Sequence, residues 1–329
     1  MRAAVYTQYG PPEVLQINDI PKPTPQANEI LIKTRAMTVT SADWRIRSLQ
    51  MPRGFGLMSR LVFGVSKPRK PILGTEIAGT IEAIGSGVSK FKVGDEVFAF
   101  DGMRMGCHAE YKCMPETGAI ARKPARLAWE EAAAMSFGGT TALDFFRRGK
   151  LKRGDKVLIN GASGSVGSAA AQLARHAGAE VTGVCSGGNA ELVKRLGAQR
   201  VIDYMREDFT KTGDTWDIIV DTVGTAPFSR CKPALKEGGR LLLVLGALPD
   251  LLKAPWAGMT SSKRVVAGPA AERAEDLKYL AELAEAGAYK PVIDRCYPFS
   301  QIVDAHRYVD TGRKRGNVVV TMEPNNPST

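Results

Sequence analysis

No C-x-x-C pair occurs in the 329 residues, and the five cysteines (Cys107, Cys113, Cys185, Cys231, Cys296) are odd in number and scattered. That excludes the usual structural zinc knuckle, which needs closely spaced thiolates. It fits free thiols in a reducing compartment. No apolar run reaches the roughly 20 residues that a transmembrane helix needs, and the start, M-R-A-A-V-Y-T-Q-Y-G, lacks the apolar stretch of a signal peptide. The expectation is a cytoplasmic protein. Histidine is scarce: His108, His176 and His306 are all there is. His176 falls on a helical stretch and is expected at the surface. His108 beside Cys107 is the only candidate soft pair, and adjacent residues rarely chelate one ion together.

Acidic residues are outnumbered, 34 against 45 basic ones, for a net charge of +11. Such a surplus favours anionic partners. The densest clusters are Lys67-Pro68-Arg69-Lys70 and Arg313-Lys314-Arg315. Neither is a run of five or more with interleaved aromatics, so nucleic-acid binding is not expected, and each reads as a solvated basic surface.

What is present fits a globular chain with a large core and room for two domains: 44% of residues are apolar and 24% charged. Residues 1–125 read as short strands at Val5–Tyr9, Val14–Asp19, Glu29–Val39, Ile77–Gly85 and Glu96–Phe100, broken by Gly and Pro. The spacing predicts an antiparallel, barrel-like domain. After about Leu127 helices alternate with apolar strands at Val157–Ile159, Glu180–Cys185, Arg200–Asp203, Asp217–Val223 and Arg240–Leu245, with helical spacing over Ala190–Leu196, Phe228–Lys236 and Ala270–Ala286. Buried strands alternating with helices predict a doubly wound parallel sheet, so the fold class is α/β. The tail ends in a strand at Asn317–Met322 and is expected to rejoin the first domain.

The stretch Ile159–Gly167, I-N-G-A-S-G-S-V-G, lies between the first of those strands and an alanine-rich helix. Strand, glycine turn and helix in this order predict a dinucleotide site. Gly164 lets a pyrophosphate approach the backbone, Gly167 lets the helix pack on its strand, and the N–H groups around Ser165 and Val166 point at the anion. The alternative is a tight turn with no ligand. NAD sites place a carboxylate at the end of the second strand; here that strand ends in Ser186-Gly187-Gly188-Asn189. Small hydroxyl and amide groups can donate to a 2′-phosphate that a carboxylate would repel. Tyr204 adds a hydroxyl, and Arg313, Lys314 or Arg315 could supply charge. The cofactor is therefore expected to be NADPH, with Glu191 as the residue that argues against it.

A β-rich domain followed by a mid-chain nucleotide domain resembles the medium-chain dehydrogenase/reductase superfamily, and within it the zinc-independent quinone oxidoreductase (zeta-crystallin-like) branch. The resemblance rests on Ala162-Ser163-Gly164-Ser165-Val166-Gly167, Gly74-x-Glu76-x-Ala78-Gly79, Val93-Gly94-Asp95-x-Val97, Ala109-Glu110-Tyr111, Gly139-x-Thr141-Ala142, Val201-Ile202-Asp203-Tyr204 and Gly316-x-Val318-Val319. It implies a GroES-like catalytic domain at residues 1–125 and 287–329 and a Rossmann NADP-binding domain at 126–286. The zinc enzymes of the superfamily hold their metal with a Cys and with the His of a G-H-E motif. Here Thr40-Ser41-Ala42-Asp43 and Gly74-Thr75-Glu76 stand at those places, and a threonine hydroxyl is a poor zinc ligand. No metal is expected. No Tyr-x-x-x-Lys pair exists either, which excludes the short-chain reductase solution.

Without zinc to polarise a carbonyl, a quinone or an α,β-unsaturated carbonyl is the easier hydride acceptor, because conjugation spreads the incoming charge. The expected activity is NADPH-dependent reduction of such flat, conjugated, apolar molecules. Alternatives are an alcohol or aldehyde dehydrogenase of the same superfamily and a cofactor-binding protein with no enzymatic role. The resemblance places Thr141 beside the nicotinamide, though a helix N-cap is its structural alternative. It places Thr40 and Ser41 toward the substrate oxygen. Asp43 reads as an orienting carboxylate, and Trp44 either stacks on the substrate or joins the core. Val223 and Gly246, after the fourth and fifth strands, complete the cofactor set with Ser186, Asn189, Tyr204, Arg313 and Arg315. The segment Gln50–Pro71, apolar and basic, reads as a lid over the substrate; contact with a membrane surface is its lesser reading. Leu245–Met259 is the expected opposite wall. Relatives often pair through a sheet edge, so a homodimer through Arg240–Ala247 or Lys263–Gly268 is possible.

Overall fold

A strand near the start of the chain, Glu29–Val39, is buried along most of its length on both faces, which is the mark of a strand at the centre of a sheet. The computed structural model describes residues 1–252, 254 and 261–322. In it β1 (Arg2–Tyr6) and β2 (Leu15–Asp19) form an antiparallel hairpin. The central strand is β3 (Glu29–Val39), followed by β4 (Glu76–Ile84), β5 (Glu96–Phe100), β6 (Tyr111–Pro115) and β7 (Ala119–Arg122). β4 and β6 both pair antiparallel with β3, and β5 and β7 extend the sheet beyond β4.

The second half carries β8 (Lys156–Asn160), β9 (Glu180–Cys185), β10 (Arg200–Asp203), β11 (Trp216–Asp221), β12 (Leu235–Leu243) and β13 (Arg264–Ala267), all parallel, in the order β10-β9-β8-β11-β12-β13. This is the doubly wound order, with its switch point between β8 and β11. The fold class read from the sequence holds. The chain then returns: β14 (Ile293–Pro298) lies parallel to β15 (Asn317–Thr321), and β15 runs antiparallel to β3, Val318 opposite Val39.

Several details differ from the sequence expectation, beginning with the first strand, which is Arg2–Tyr6 rather than Val5–Tyr9. The run Asp217–Val223 stops being strand at Asp221, because the buried Asp221 carboxylate accepts the N–H groups of Val223, Gly224 and Ala226 and turns the chain. The helix expected over Phe228–Lys236 is only Phe228–Cys231; Pro233 cannot extend it, and Leu235 already belongs to β12. β12 lies between β11 and β13. Of the two segments considered for edge-to-edge pairing, Arg240–Ala247 is therefore interior, while Lys263–Gly268 contains the edge strand.

The alanines of the helix Ser165–His176 are buried on several sides. Small side chains let it lie against the helix Ser136–Arg148, where Gly138 comes so close that a Cβ would stand 2.7 Å from the Ser165 carbonyl oxygen. His176, as expected, is exposed at the helix end. No helix among the described residues is long and apolar enough to cross a membrane.

Candidate functional site

The glycine turn of Gly161–Gly164 sits at the switch point. A Cβ on Gly161 would fall 2.5 Å from both Thr222 Oγ1 and Val223 Cγ2, so the turns after β8 and β11 meet there. Thr222 donates its hydroxyl to the Asn160 carbonyl, and Asn160 donates its amide to Asp221 and Thr225. Asp221, absent from the sequence-derived site, thus fixes both turns. The signal for it was available only as an acid at a strand end, a pattern with many other meanings.

Within the turn the glycines do different things. Gly167 is pressed against the loop: a Cβ would stand 2.1 Å from the Gly161 oxygen and 2.8 Å from Ala162 Cα. Gly164 is not. Its φ of −81° and ψ of −179° suit any residue, and a Cβ there would meet nothing nearer than the Gly161 oxygen at 3.5 Å. Gly164 precedes the first helical residue, Ser165, and no side chain caps the helix. The N–H groups of Ser165, Val166 and Gly167 therefore have no partner inside the helix. A space that a methyl would fill, faced by free N–H groups at a helix N-terminus, has the chemistry to receive a phosphate. The Ser165 hydroxyl is otherwise engaged, donating 2.6 Å to Asn317 Oδ1.

The tail strand is tied to this turn. The Gly316 N–H donates to the Ser163 carbonyl at 2.8 Å, and Gly164 and Gly316 form an isolated bridge. Lys314, half-buried, donates its ammonium to the Gly316 carbonyl at 2.6 Å. Burial pulls its pKa down to about 8, against the pull of Glu76 and Asp294, which favour the charged form. Of the three tail cations it is Lys314 that turns inward; Arg313 and Arg315 are exposed, Arg315 meeting Asp294 through its backbone N–H.

At the end of β9, Asn189 donates to both Ser163 and Ser186, gathering small polar groups beside the turn. Tyr204 is 59% exposed nearby in sequence after β10. Glu191 is held by Lys194 at 2.9 Å. Asp203 lies against Gly187, whose Cβ would stand 2.7 Å from its carboxylate; the Met205 N–H donates to it and Arg206 is 3.8 Å away. Gly246 follows β12, close to Leu251. Thr141 is buried in the second turn of Ser136–Arg148, so the N-cap alternative does not apply to it.

On the β-rich side, Thr40 caps the helix Ser41–Ser48 and forms a capping box with Asp43. The Asp43 carboxylate, fully buried, accepts the Thr40 hydroxyl and N–H at 2.7 Å each and the Gly74 N–H at 2.9 Å. It holds together the two segments that carry Thr40 and Thr75. Ser41 is exposed and Trp44 half-buried against the core, with Arg45 stacked on its ring. The Thr75 hydroxyl is buried without a hydrogen-bond partner. Glu76 is buried and its pKa is pushed up to about 7 by desolvation, opposed by donors from Phe137 and Thr38. His108 does not pair with Cys107 as a ligand set. Its ring packs edge-on against His306, 5.2 Å between centroids, beside the buried Arg47 and the half-buried Asp310. Burial, with His108 and Arg47 beside it, holds His306 well below its ordinary pKa.

The segment read as a lid contains the helix Gly56–Phe63. The proposed opposite wall is helical over residues 248–252, and the Leu248 N–H donates to the Arg53 carbonyl; Trp256 and Met259 lie outside the described residues.

The chain matches the alcohol dehydrogenase GroES-like domain family over residues 26–125 and the zinc-binding dehydrogenase family over 196–320. A 2-methylene-furan-3-one reductase of Solanum lycopersicum is 32% identical, covering 98% of this chain and 80% of its own. An NADPH-dependent alkenal/one oxidoreductase of Arabidopsis thaliana is 29% identical, with the same coverage. The quinone oxidoreductase of Coxiella burnetii superposes with a TM-score of 0.88 at 30% identity, covering 98% of this chain and 99% of its own.

Proposed function

The chain belongs to the medium-chain dehydrogenase/reductase superfamily, in its quinone oxidoreductase branch, and on that footing we propose that it is an NADPH-dependent reductase of quinones and α,β-unsaturated carbonyls. One observation carries the reading: a phosphate cradle at Gly164 stands opposite a substrate side whose metal-ligand positions are threonines. The relatives named for NADPH and for enone reduction agree with it.

Zinc does not fit the residues present. Among the described residues no three His, Cys, Asp or Glu side chains gather as a ligand set. The Thr40 hydroxyl is committed to Asp43, and burial pushes the Cys107 thiol far up, away from a thiolate. When bound, NADPH supplies the hydride, and a conjugated acceptor disperses the charge.

The protein's part is to bind and orient. The N–H groups of Ser165, Val166 and Gly167 and the Lys314 ammonium receive the pyrophosphate. Ser186, Asn189 and Tyr204 receive the 2′-phosphate, with Arg313 and Arg315 as outer charges. Thr141, Val223 and Gly246 line the nicotinamide half. Thr40 and Ser41 face the acceptor's oxygen, Asp43 positions Thr40, and Trp44 flanks a flat substrate. Met51, Phe55 and Phe63 are the inner face of the lid. The catalytic domain comprises 1–125 and 287–329, the nucleotide domain 126–286. Free thiols at all five cysteines fit a reducing, cytoplasmic setting, and the β13 edge is the site of a homodimer.

Purified protein should oxidise NADPH with an ortho-quinone and an enone, and not with a simple aldehyde. Turnover with the aldehyde alone would return the assignment to the alcohol dehydrogenases. Tight NADPH binding with no turnover on any acceptor would favour a non-enzymatic role. Asp203 beside Gly187 favours a second reading, in which NADH serves as well; equal or tighter NADH affinity would establish it.

A further inference from the structure

From Trp44 to Thr75 the chain has seven basic residues and no acidic one. Two are spoken for: Arg47 is buried on Asp310, and Arg45 stacks on Trp44. The other five, Arg53, Arg60, Lys67, Arg69 and Lys70, are exposed, and none makes an ion pair among the described residues. Arg60 and Lys70 reach only backbone carbonyls, of Val65 and Met103.

Among the described residues, the same segment holds the densest exposed apolar cluster. Leu57 is 75% exposed, Met58 47%, Leu61 56%, Val62 43% and Val65 60%. These are five of the fourteen large apolar side chains exposed among the described residues, within nine positions of sequence. The helix Gly56–Phe63 explains the arrangement. Ser59 is buried on its inner side and Phe55 and Phe63 are half-buried. Positions 57, 58, 61 and 62 share the opposite side, since residues three and four apart neighbour each other on a helix. A lid closing on substrate would use the inner side, and it leaves the outer stripe unexplained.

We propose that this face docks on an anionic bilayer surface, with Leu57, Met58, Leu61, Val62 and Val65 entering the headgroup boundary and Arg53, Arg60, Lys67, Arg69 and Lys70 meeting lipid phosphates. A helix with apolar residues on one side and cations around it is the pattern of interfacial binding, and juxtamembrane cations are drawn to anionic lipid. A second copy is a worse occupant: an isologous contact would set the five cations against their own symmetry mates. The inference does not depend on which acceptor the enzyme reduces, because it is read by binding.

The test is co-sedimentation with phosphatidylcholine vesicles, with and without about one third phosphatidylglycerol. The wild type should sediment with the anionic vesicles only and come off in about 1 M salt, where charge is screened within roughly 3 Å. Two variants, Leu57→Ser/Leu61→Ser and Lys67→Glu/Lys70→Glu, should each lower partitioning about tenfold or more. Both should keep wild-type NADPH affinity and thermal stability, which separates lost docking from misfolding and from any failure of the reductase reading. Absence of wild-type binding to anionic vesicles overturns the proposal, as does equal partitioning of wild type and variants. Self-association that the serine variant abolishes, without vesicle binding, would assign the face to a second copy.

Discussion

Two alanine substitutions three residues apart separate what the phosphate turn does for the fold from what it does for the cofactor. At Gly167 the new Cβ would stand 2.1 Å from the Gly161 oxygen and 2.8 Å from Ala162 Cα. Both are backbone atoms, so helix and turn must part, at an overpacking cost of about 1–3 kcal/mol. At Gly164 the backbone is already in a region open to alanine, and the nearest atom to a Cβ is 3.5 Å away. The fold should be unharmed or gain about 0.4–1 kcal/mol from a less flexible unfolded chain, a shift in Tm of roughly 2–4 °C at most. The methyl would instead occupy the approach of the pyrophosphate. A loss of about 1.4 kcal/mol there is a tenfold rise in the Kd for NADPH, and that is the minimum expected. Thermal unfolding without cofactor and fluorescence titration with NADPH measure the two effects separately. Gly164→Ala should bind at least about tenfold more weakly with an unchanged or higher Tm, while Gly167→Ala should lose stability first. Wild-type NADPH affinity in Gly164→Ala would refute the cradle.

Lys314, with its pKa pulled down to about 8, makes cofactor affinity depend on pH: the ammonium attracts phosphate and the neutral amine does not, so the wild-type Kd for NADPH should rise as pH passes above about 8. Lys314→Met should bind roughly tenfold more weakly at neutral pH with a flat profile above it, and parallel profiles in the two proteins would remove Lys314 from the site. His306 bears on stability. Its folded pKa is depressed, so below about 6.5 the unfolded chain takes a proton that the native state refuses, and stability falls with pH by up to about 1.4 kcal/mol per unit. Glu76, pushed up to about 7, has the opposite slope between roughly 4.5 and 7, so the informative quantity is the difference between wild type and His306→Gln in urea unfolding at several pH values; identical slopes would refute the role given to His306.

The parts of the fold that were legible in the sequence are those set by local pattern. Glu29–Val39, Glu96–Phe100, Glu180–Cys185 and Arg200–Asp203 form with the expected boundaries, because runs rich in Val, Ile, Thr and Phe favour the strand locally. β6, β7 and β14 were missed. They are short, and β14 (I-D-R-C-Y-P) shows no strand alternation and is half-exposed or exposed throughout, so only their partners make them strands. The same division holds at the site. The glycine turn is a local signal and could be read. Asp221 and Asn160 could not, because their roles arise where the turn after β11 arrives from 61 residues away; and of the three tail cations the sequence offers, only the packing singles out Lys314.

The tail strand also joins the phosphate turn to the other sheet. The Ser163 carbonyl, the Gly164 bridge and the Ser165 hydroxyl all engage Gly316 and Asn317, and these residues lead directly into β15, which pairs with β3 at the centre of the other sheet. The phosphate turn is therefore continuous, by backbone and buried hydrogen bonds, with the sheet whose β3 runs out into Thr40 and Asp43. On this side the distance between the Gly164 turn and Thr40 is set by paired backbone. On the opposite side, the Leu248 N–H donates to the Arg53 carbonyl and Leu248 lies over Gly54. On the proposed reading, a flat substrate entering past Gly54 and Leu248 would leave the backbone pairing between Gly164 and Thr40 undisturbed. The basic, apolar helix Gly56–Phe63 follows directly on the Arg53–Leu248 contact, so a bilayer docked there would lie on this side rather than on the side of the Gly164 turn.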